Sequence, residues 1–392
     1  MKDKKNILFV SISSDMYGSS KVLLSLILQL KNESEEYHPV VCMPLGDGPF
    51  KDILIANSIQ IIEMPVVKLE RSLLKSLKMF SLISEYFKAK KIVEEEIKGM
   101  NINSIQSNTV ATLFGAIYCL FHKPKHIFHV HEIIDHPKIA TYFFKSLLRF
   151  FCDFIVFNSQ ATNHFYTKNS KLLQKKSMTI VNGVDKVDPS ITSSEINNIR
   201  EKYFNAKEDQ FIIGLVGRIN RLKGHSLLLD TFEEVSKSYP NSKLCFIGSP
   251  PPNQDFFLTN LQSEVKQSNV ADKVSFVGFQ NNIFPILESL DLVIVPSTEQ
   301  ESFGLIIVEA MLAKKAVIGS NIGGISTIVD HKKTGLLFEV NNKKDLAEAI
   351  LLLMSNRELK ENIEACAHIK ALELYSTNMM YNKFDQLYKT IL

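Results

Sequence analysis

Leu292-Val293-Ile294-Val295-Pro296-Ser297 and, three residues on, Glu301-Ser302-Phe303-Gly304-Leu305-Ile306-Ile307-Val308-Glu309 decide how this chain is read. Four aliphatic residues in a row predict a strand buried on both faces. Proline closes the strand, a polar loop follows, and the apolar run from Leu305 predicts a helix. A helix that starts behind such a loop leaves backbone N–H groups open to an anionic or polyhydroxyl ligand. Glu301 falls in the loop and Glu309 about two turns further along, so the two carboxylates reach different parts of one ligand. The plain alternative is a surface acid and a helix-face acid in an ordinary α/β unit.

The same alternation continues in both directions. Strands are predicted at 6–13, 40–44, 59–65, 102–107, 127–131, 154–158 and 178–181, then at 211–216, 243–247, 274–277, 292–295, 316–318 and 335–338. Helical patterns of about 10 to 25 residues lie between most of them, which implies βαβ units and parallel sheets. The fold class is α/β. A polar stretch, Asp185–Asn197, interrupts the alternation before it restarts. It divides the chain into two Rossmann-like domains, 1–190 and 191–377, facing across a cleft. Residues 378–392, with Tyr381, Phe384, Leu387 and Leu392, read as an amphipathic helix packing back on the first domain. Ligands of open α/β sheets bind beyond the carboxyl ends of the strands.

Composition narrows the function. The 392 residues are 45% hydrophobic and 22% charged, and no apolar run approaches the roughly 20 residues of a membrane span. Met1-Lys2-Asp3-Lys4-Lys5 leads straight into the first strand with no cleavage pattern of a signal peptide. Five scattered cysteines without a C-x-x-C pair fit a reducing, cytoplasmic location. A net charge of +3 does not suggest a nucleic-acid binder. Residues 1–200 nevertheless carry 25 Lys and Arg against 19 Asp and Glu, so this half could meet anionic lipid head groups or an anionic acceptor.

Phe211-Ile-Ile-Gly-Leu-Val-Gly217-Arg218 is a strand that continues through Ile219-Asn220-Arg221-Leu222-Lys223-Gly224-His225 into a helix. Gly217 is expected to let the backbone turn sharply. Arg218 and Lys223, five residues apart on one strand-to-helix loop, are placed to converge on one anion, Arg as a bidentate clamp and Lys as a point charge. Such a pair could stabilise a departing diphosphate without a metal. Two cations in a solvated loop are the plain alternative. The segment has neither the G-x4-G-K-[ST] of a P-loop nor G-x-G-x-x-G, which weakens kinase and dehydrogenase readings.

Taken together, Gly217-Arg218-x4-Lys223-Gly224 and, about 80 residues later, Glu301-Ser-Phe-Gly-x4-Glu309-Ala310 resemble the donor site of family-4 glycosyltransferases of the GT-B fold. Asp291-Leu-Val-Ile-Val-Pro296-Ser297, Gly323-Gly324, Thr334-Gly335-Leu336-Leu337 and Asn182-Gly183-Val184-Asp185 occur in that family's order. The resemblance implies a retaining, metal-independent transferase that uses a nucleotide-diphosphate sugar, with UDP the commonest base, and no further cofactor. It implies that Arg218 and Lys223 hold the diphosphate, Glu309 the ribose hydroxyls and Glu301 the sugar hydroxyls. Backbone N–H groups of Phe303, Gly304 and Leu305 would bind sugar or phosphate oxygens. In the first domain Gly18-Ser19 stands where the family commonly has Gly-Gly beside the diphosphate, with a helix cap by Ser19 or Ser20 as the alternative. His131, ending Phe128-His129-Val130-His131, resembles the family's active-site histidine, with a satisfied structural histidine as the alternative. His129 and His131 share a strand face, but no third ligand is evident, so no metal is expected.

Retention by a glycosidase requires two carboxylates about 5 Å apart. Here the glutamates are better explained as ligands of the donor, and the favoured picture is front-face attack, with a departing phosphate oxygen taking the acceptor proton. The implied acceptor is a glycan or lipid-linked saccharide. Two basic, aromatic stretches, 71–80 and 138–151, read as helices that could lie on an anionic membrane or, equally, as core-facing stripes with solvated lysines. A nucleotide-sugar epimerase of GT-B fold and a non-catalytic GT-B partner subunit are the alternatives. The base is expected near Pro250-Pro251 and Gly278-Phe279-Gln280.

Overall fold

The computed structural model describes residues 4–67, 79–186 and 188–392. The basic stretch expected from Arg71 to Phe80 falls almost wholly outside the described residues; a helix, Met79–Glu96, begins at its end. The chain divides into two compact units, one of residues 1–183 with 377–392, the other of residues 184–376.

Among the described residues the first unit holds seven strands: β1 (Lys5–Val10), β2 (Tyr37–Met43), β3 (Gln60–Glu63), β4 (Ile102–Ser107), β5 (Lys125–Val130), β6 (Phe154–Phe157) and β7 (Ser177–Thr179). All pair in parallel, in the order β3-β2-β1-β4-β5-β6-β7. The second unit holds β8 (Phe211–Val216), β9 (Ser242–Ile247), β10 (Val274–Val277), β11 (Leu292–Val295), β12 (Val317–Ser320) and β13 (Leu336–Phe338). These are also parallel, ordered β10-β9-β8-β11-β12-β13. Every apolar run expected to be a strand is one, with boundaries displaced by up to a few residues.

Parallel strands are covered by helices on both faces, so their sequences read as unbroken apolar runs. β11 shows this, with Leu292, Val293, Ile294 and Val295 all buried. Gly214 in β8 has a local reason. A Cβ there would stand 2.3 Å from a methyl of Leu290, so only glycine leaves room for the residue that leads into β11. Asp291 fixes the same end of the sheet: its carboxylate accepts from Ile212 N–H at 2.8 Å and pairs with Arg200 at 2.9 Å. Arg200 lies on the helix Ser193–Phe204, which Thr192 and Glu195 start with a reciprocal capping box. The polar stretch expected to be linker is therefore partly a helix start.

Helix Thr377–Ile391 belongs to the first unit. Met380, Phe384, Leu387 and Tyr388 are buried, and Tyr388 donates to Gln106 on β4 at 2.6 Å. In both sheets the strand order reverses direction between a first strand and a fourth, β1 beside β4 and β8 beside β11. Loops leaving the carboxyl ends of such a pair diverge to opposite sides and open a crevice, the usual ligand position in this architecture. The two motifs of the second unit leave β8 and β11, the pair at its reversal.

Candidate functional site

In the second unit the loop after β8 and the loop after β11 are stitched together by backbone contacts. Thr298 N–H donates to Leu222 C=O at 2.9 Å, and its hydroxyl to Arg221 C=O at 3.1 Å. Gly224 has φ +72°, and a Cβ there would lie 1.9 Å from the Pro296 carbonyl oxygen. On the far side of the acidic loop, Gly323 has φ +55° and its missing Cβ would lie 2.3 Å from Glu301 O. Gly324 N–H donates to that same oxygen at 2.6 Å. Residues 297–304 are thus wedged between two glycine contacts, backbone against backbone.

The expectation for Gly217 needs correction. Its φ is not left-handed, and a Cβ would meet only the methylenes of Lys223 at ordinary contact distance. Gly217 instead lies under the Lys223 stem. The strict requirements fall on Gly224 and on Gly248, whose φ is +138° and whose Cβ would lie 2.1 Å from Gly217 O.

Lys223 and Glu301, read from sequence as gripping opposite ends of a ligand, are paired with each other. Lys223 Nζ stands 2.6 Å from Glu301 Oε2, and Ser297 Oγ donates to the same oxygen at 3.0 Å. Burial would raise the Glu301 carboxyl. The Lys223 ammonium and the Ser297 hydroxyl outweigh it and hold the carboxyl below the usual range. Arg221 pairs with Glu299 on the exposed rim. Gly304, at φ +102°, turns the chain into the helix Leu305–Leu312. Phe303 is buried, and so is Glu309, which sits only one turn inside the helix because 301–304 is loop. At the expected base position, Phe279 N–H donates to Ser249 Oγ at 3.1 Å, joining the loops after β9 and β10.

In the first unit, Asn108 connects residues that the sequence reading left apart. Its Nδ2 donates to Ser19 C=O at 3.1 Å, its Oδ1 lies 3.1 Å from His131 Nε2, and its own N–H donates to Val10 C=O at 3.0 Å. The first turn of the helix, at Gly18-Ser19, and His131 therefore share one polar residue at the reversal between β1 and β4. Neither Ser19 nor Ser20 caps the helix: it runs Gly18–Glu33 behind Tyr17, with no side-chain cap. Sequence reading missed Asn108. Its signal was Ser107-Asn108-Thr109, a polar run at the carboxyl end of β4.

Burial holds His131 neutral, its pKa down at about 3. Its Nε2–H accordingly donates to Asn108, leaving Nδ1 as the acceptor. His129 lies behind it, ring centroids 4.0 Å apart, with neither ring nitrogen bonded. Burial and the His131 ring keep its pKa low. Glu132 beside them takes a hydrogen bond from Thr109 at 2.6 Å, while burial raises its carboxyl. His126 belongs to the opposite face, wedged between Ser107 Oγ at 3.0 Å and Phe151 C=O at 2.8 Å, a structural role. Among the described residues no group of three His, Cys, Asp or Glu is arranged to hold a metal.

Residues 196–368 match the family model for glycosyl transferases group 1. The Staphylococcus aureus capsular polysaccharide biosynthesis glycosyltransferase CapM is 31% identical over 203 residues, half of each chain. The N-acetyl-alpha-D-glucosaminyl L-malate synthase of Bacillus anthracis is 28% identical over 192 residues, 49% of each. The matched part thus spans about half the length of these relatives. In three dimensions, HepE of Anabaena, solved with UDP and glucose, aligns over 98% of this chain and 99% of its own at TM-score 0.82 and 22% identity. A Rickettsia africae glycosyltransferase aligns over 99% of each chain at TM-score 0.84 and 22% identity. The fold is GT-B.

Two expectations follow. Gly224→Ala places a Cβ against a carbonyl in a left-handed conformation and is expected to cost about 2–5 kcal/mol of unfolding free energy. Gly217→Ala, in open contact with a flexible stem, is expected to cost under about 1 kcal/mol. Urea denaturation of the two variants checks the order, and a reversed ranking would refute the wedge. Second, His126 and His225 are held neutral, mainly by burial, with pKa values near 4, and His131 near 3. The unfolded chain titrates them near 6.5. Below that pH it takes up protons that the folded chain refuses, so stability falls as pH drops from about 6.5 toward 4. Paired carboxylates add to the loss only at lower pH. Calorimetric Tm should decline steadily across this window, and a flat profile between pH 6.5 and 5 contradicts neutral burial.

Proposed function

We propose, from the premise that residues 196–368 belong to the glycosyl transferases group 1 and that the chain has the GT-B fold, that this protein moves a sugar with retention from a UDP-sugar to a glycan or lipid-linked acceptor. The observation that carries the reading is the convergence of the two motif loops at the strand reversal of the second unit. Thr298 and Gly224 lock the cationic loop to the acidic one, and Lys223 pairs with Glu301 across the junction.

In this reading Lys223 and Arg218 bind the diphosphate, and the N–H groups of Phe303, Gly304 and Leu305 meet its oxygens or those of the sugar where the helix dipole favours negative charge. Glu309 takes the ribose hydroxyls and Glu301 the sugar hydroxyls. Glu301 is read as a ligand of the donor and not as a nucleophile, its carboxylate being held by Lys223 and Ser297 through one oxygen. Front-face attack suits the site better. The acceptor hydroxyl approaches on the side from which the diphosphate leaves, and a phosphate oxygen takes its proton. The protein supplies orientation and stabilises the charge of the leaving group. His131, neutral at physiological pH, serves as a hydrogen-bond partner for the sugar and not as a proton donor. An epimerase would need no acceptor, and a non-catalytic partner would bind no donor.

Lys223→Ala and Glu309→Ala should each lower transfer at least about a hundredfold. The assay starts with thermal shift against UDP, GDP, ADP and CMP and proceeds to the sugars of whichever nucleotide stabilises the protein. Near-wild-type turnover in either variant removes the assignment, and sugar isomerisation without an acceptor selects the epimerase.

A second feature favours a lipid-linked acceptor. Helix Lys138–Phe150 turns Phe144, Leu147 and Leu148 into the core, as the core-stripe reading expected, but Ile139, Tyr142, Phe143 and Phe150 are exposed. The neighbouring helix Lys171–Lys175 exposes Leu172, and Lys176 ties the two by donating to Arg149 C=O at 2.9 Å. Residues 138–176 hold seven Lys and Arg against one acid, Asp153. Apolar side chains rimmed by cations suit an anionic bilayer surface. Among the described residues no helix is long and apolar enough to span a membrane. The protein should co-sediment with phosphatidylglycerol vesicles, lose that binding at high salt, and bind less with Tyr142→Glu. No binding at low salt rejects this part of the proposal.

A further inference from the structure

The Lys223–Glu301 pair sets a cost on any ligand that engages one partner and not the other. Both side chains are about four-fifths buried, with 22% and 19% of their areas exposed, unlike the rim pair Arg221–Glu299, where Arg221 is 71% exposed. The Glu301 carboxylate has two recorded partners, Lys223 and Ser297. Drawing Lys223 onto a phosphate leaves the carboxylate with a single hydroxyl. Removing one partner of a largely buried pair is costly, because the other charge stays behind uncompensated.

We infer that Glu301 makes this pocket prefer an intact nucleotide-diphosphate sugar over the free nucleoside diphosphate, and so drives release of that product. The inference rests on the reading of the site given above. When the donor binds, Lys223 moves to the diphosphate and the sugar hydroxyls replace it at Glu301, so both charges keep partners. After transfer the sugar is gone. Lys223 then has a choice between the diphosphate and a buried carboxylate 2.6 Å away, and Glu301 competes for it. The carboxylate occupies the role of a phosphate oxygen whenever the pocket is empty. Its effect on the product is the opposite of its effect on the donor, which a simple sugar-binding role does not produce.

The wedge keeps this competition tight. Glu301 is fixed through its own backbone, with Gly324 N–H on its carbonyl oxygen and the Cα of Gly323 packed beside it. The loop that carries the carboxylate is thereby held in place, and Ser297, two residues after β11, bonds the same oxygen as Lys223.

Calorimetric titration with UDP and with UDP-glucose tests the idea on wild-type protein, Glu301→Gln and Ser297→Ala. The amide in Glu301→Gln frees Lys223. It should tighten UDP about tenfold while leaving UDP-glucose unchanged or weaker. Ser297→Ala strips the remaining support from the carboxylate and should shift the ratio the other way, weakening UDP more than UDP-glucose. Far-ultraviolet dichroism and melting confirm that both variants fold. If the wild type binds nucleotide but Glu301→Gln weakens UDP and UDP-glucose equally, the inference fails and the reading of the site survives. If wild-type protein binds neither UDP nor UDP-glucose, and GDP, ADP and CMP give no thermal shift, the reading itself fails.

Discussion

The arrangement depends on two places where backbone meets backbone with no side chain between. Gly224 lies against the Pro296 carbonyl, and Gly323-Gly324 lies against the backbone of Glu301 to Phe303. A methyl group at either place overlaps a carbonyl, which cannot rotate away as a side chain would. These contacts hold a polar loop at a depth where its carboxylate can be largely buried, still ionised and paired with a lysine from the neighbouring loop. Neither charge could be placed so firmly by a mobile loop, and the competition between ligand and carboxylate exists only because the loop is fixed.

The first unit is built differently. It buries imidazoles and keeps them neutral. His131, His129 and Asn108 form a connected row from the strand end to the loop after β1, with Phe384 of the returning helix closing over His129 at 5.2 Å between centroids. A neutral imidazole presents one donor and one acceptor without attracting a counter-ion.

Much of this was legible in the residues. The strands expected from sequence are found in the described residues, most of them as apolar runs because parallel strands covered on both faces leave little room for polar residues, with β4 as the exception. The pairing of motifs around Arg218–Lys223 and Glu301–Glu309 was visible as spacing, and the sheet order explains it: β8 and β11 are neighbours although some 75 residues separate them. Tertiary proximity was hidden. Nothing in the sequence says that Lys223 meets Glu301, that Asn108 joins Ser19 to His131, or that Gly224 and not Gly217 carries the left-handed turn. A glycine looks the same whether it is needed for its dihedral angle, for a close approach, or for neither. Ser19 and Ser20 had the chemistry of a helix cap, but Ser20 is buried and the helix begins earlier, at Gly18.

The helix Thr377–Ile391 belongs to the first unit, although the whole of the second unit precedes it along the chain. A ribosome therefore delivers residues 1–183 long before Met380, Phe384 and Tyr388, the side chains that cover β4 and β5. Domains ordinarily complete themselves in the order they emerge. Here the order is inverted: residues 184–376 can close their core while the earlier half still lacks this last helix. Synthesis of this protein thus carries a built-in interval of vulnerability, in which His129 and Gln106 stand open to water and to any chaperone that reads exposed apolar strands.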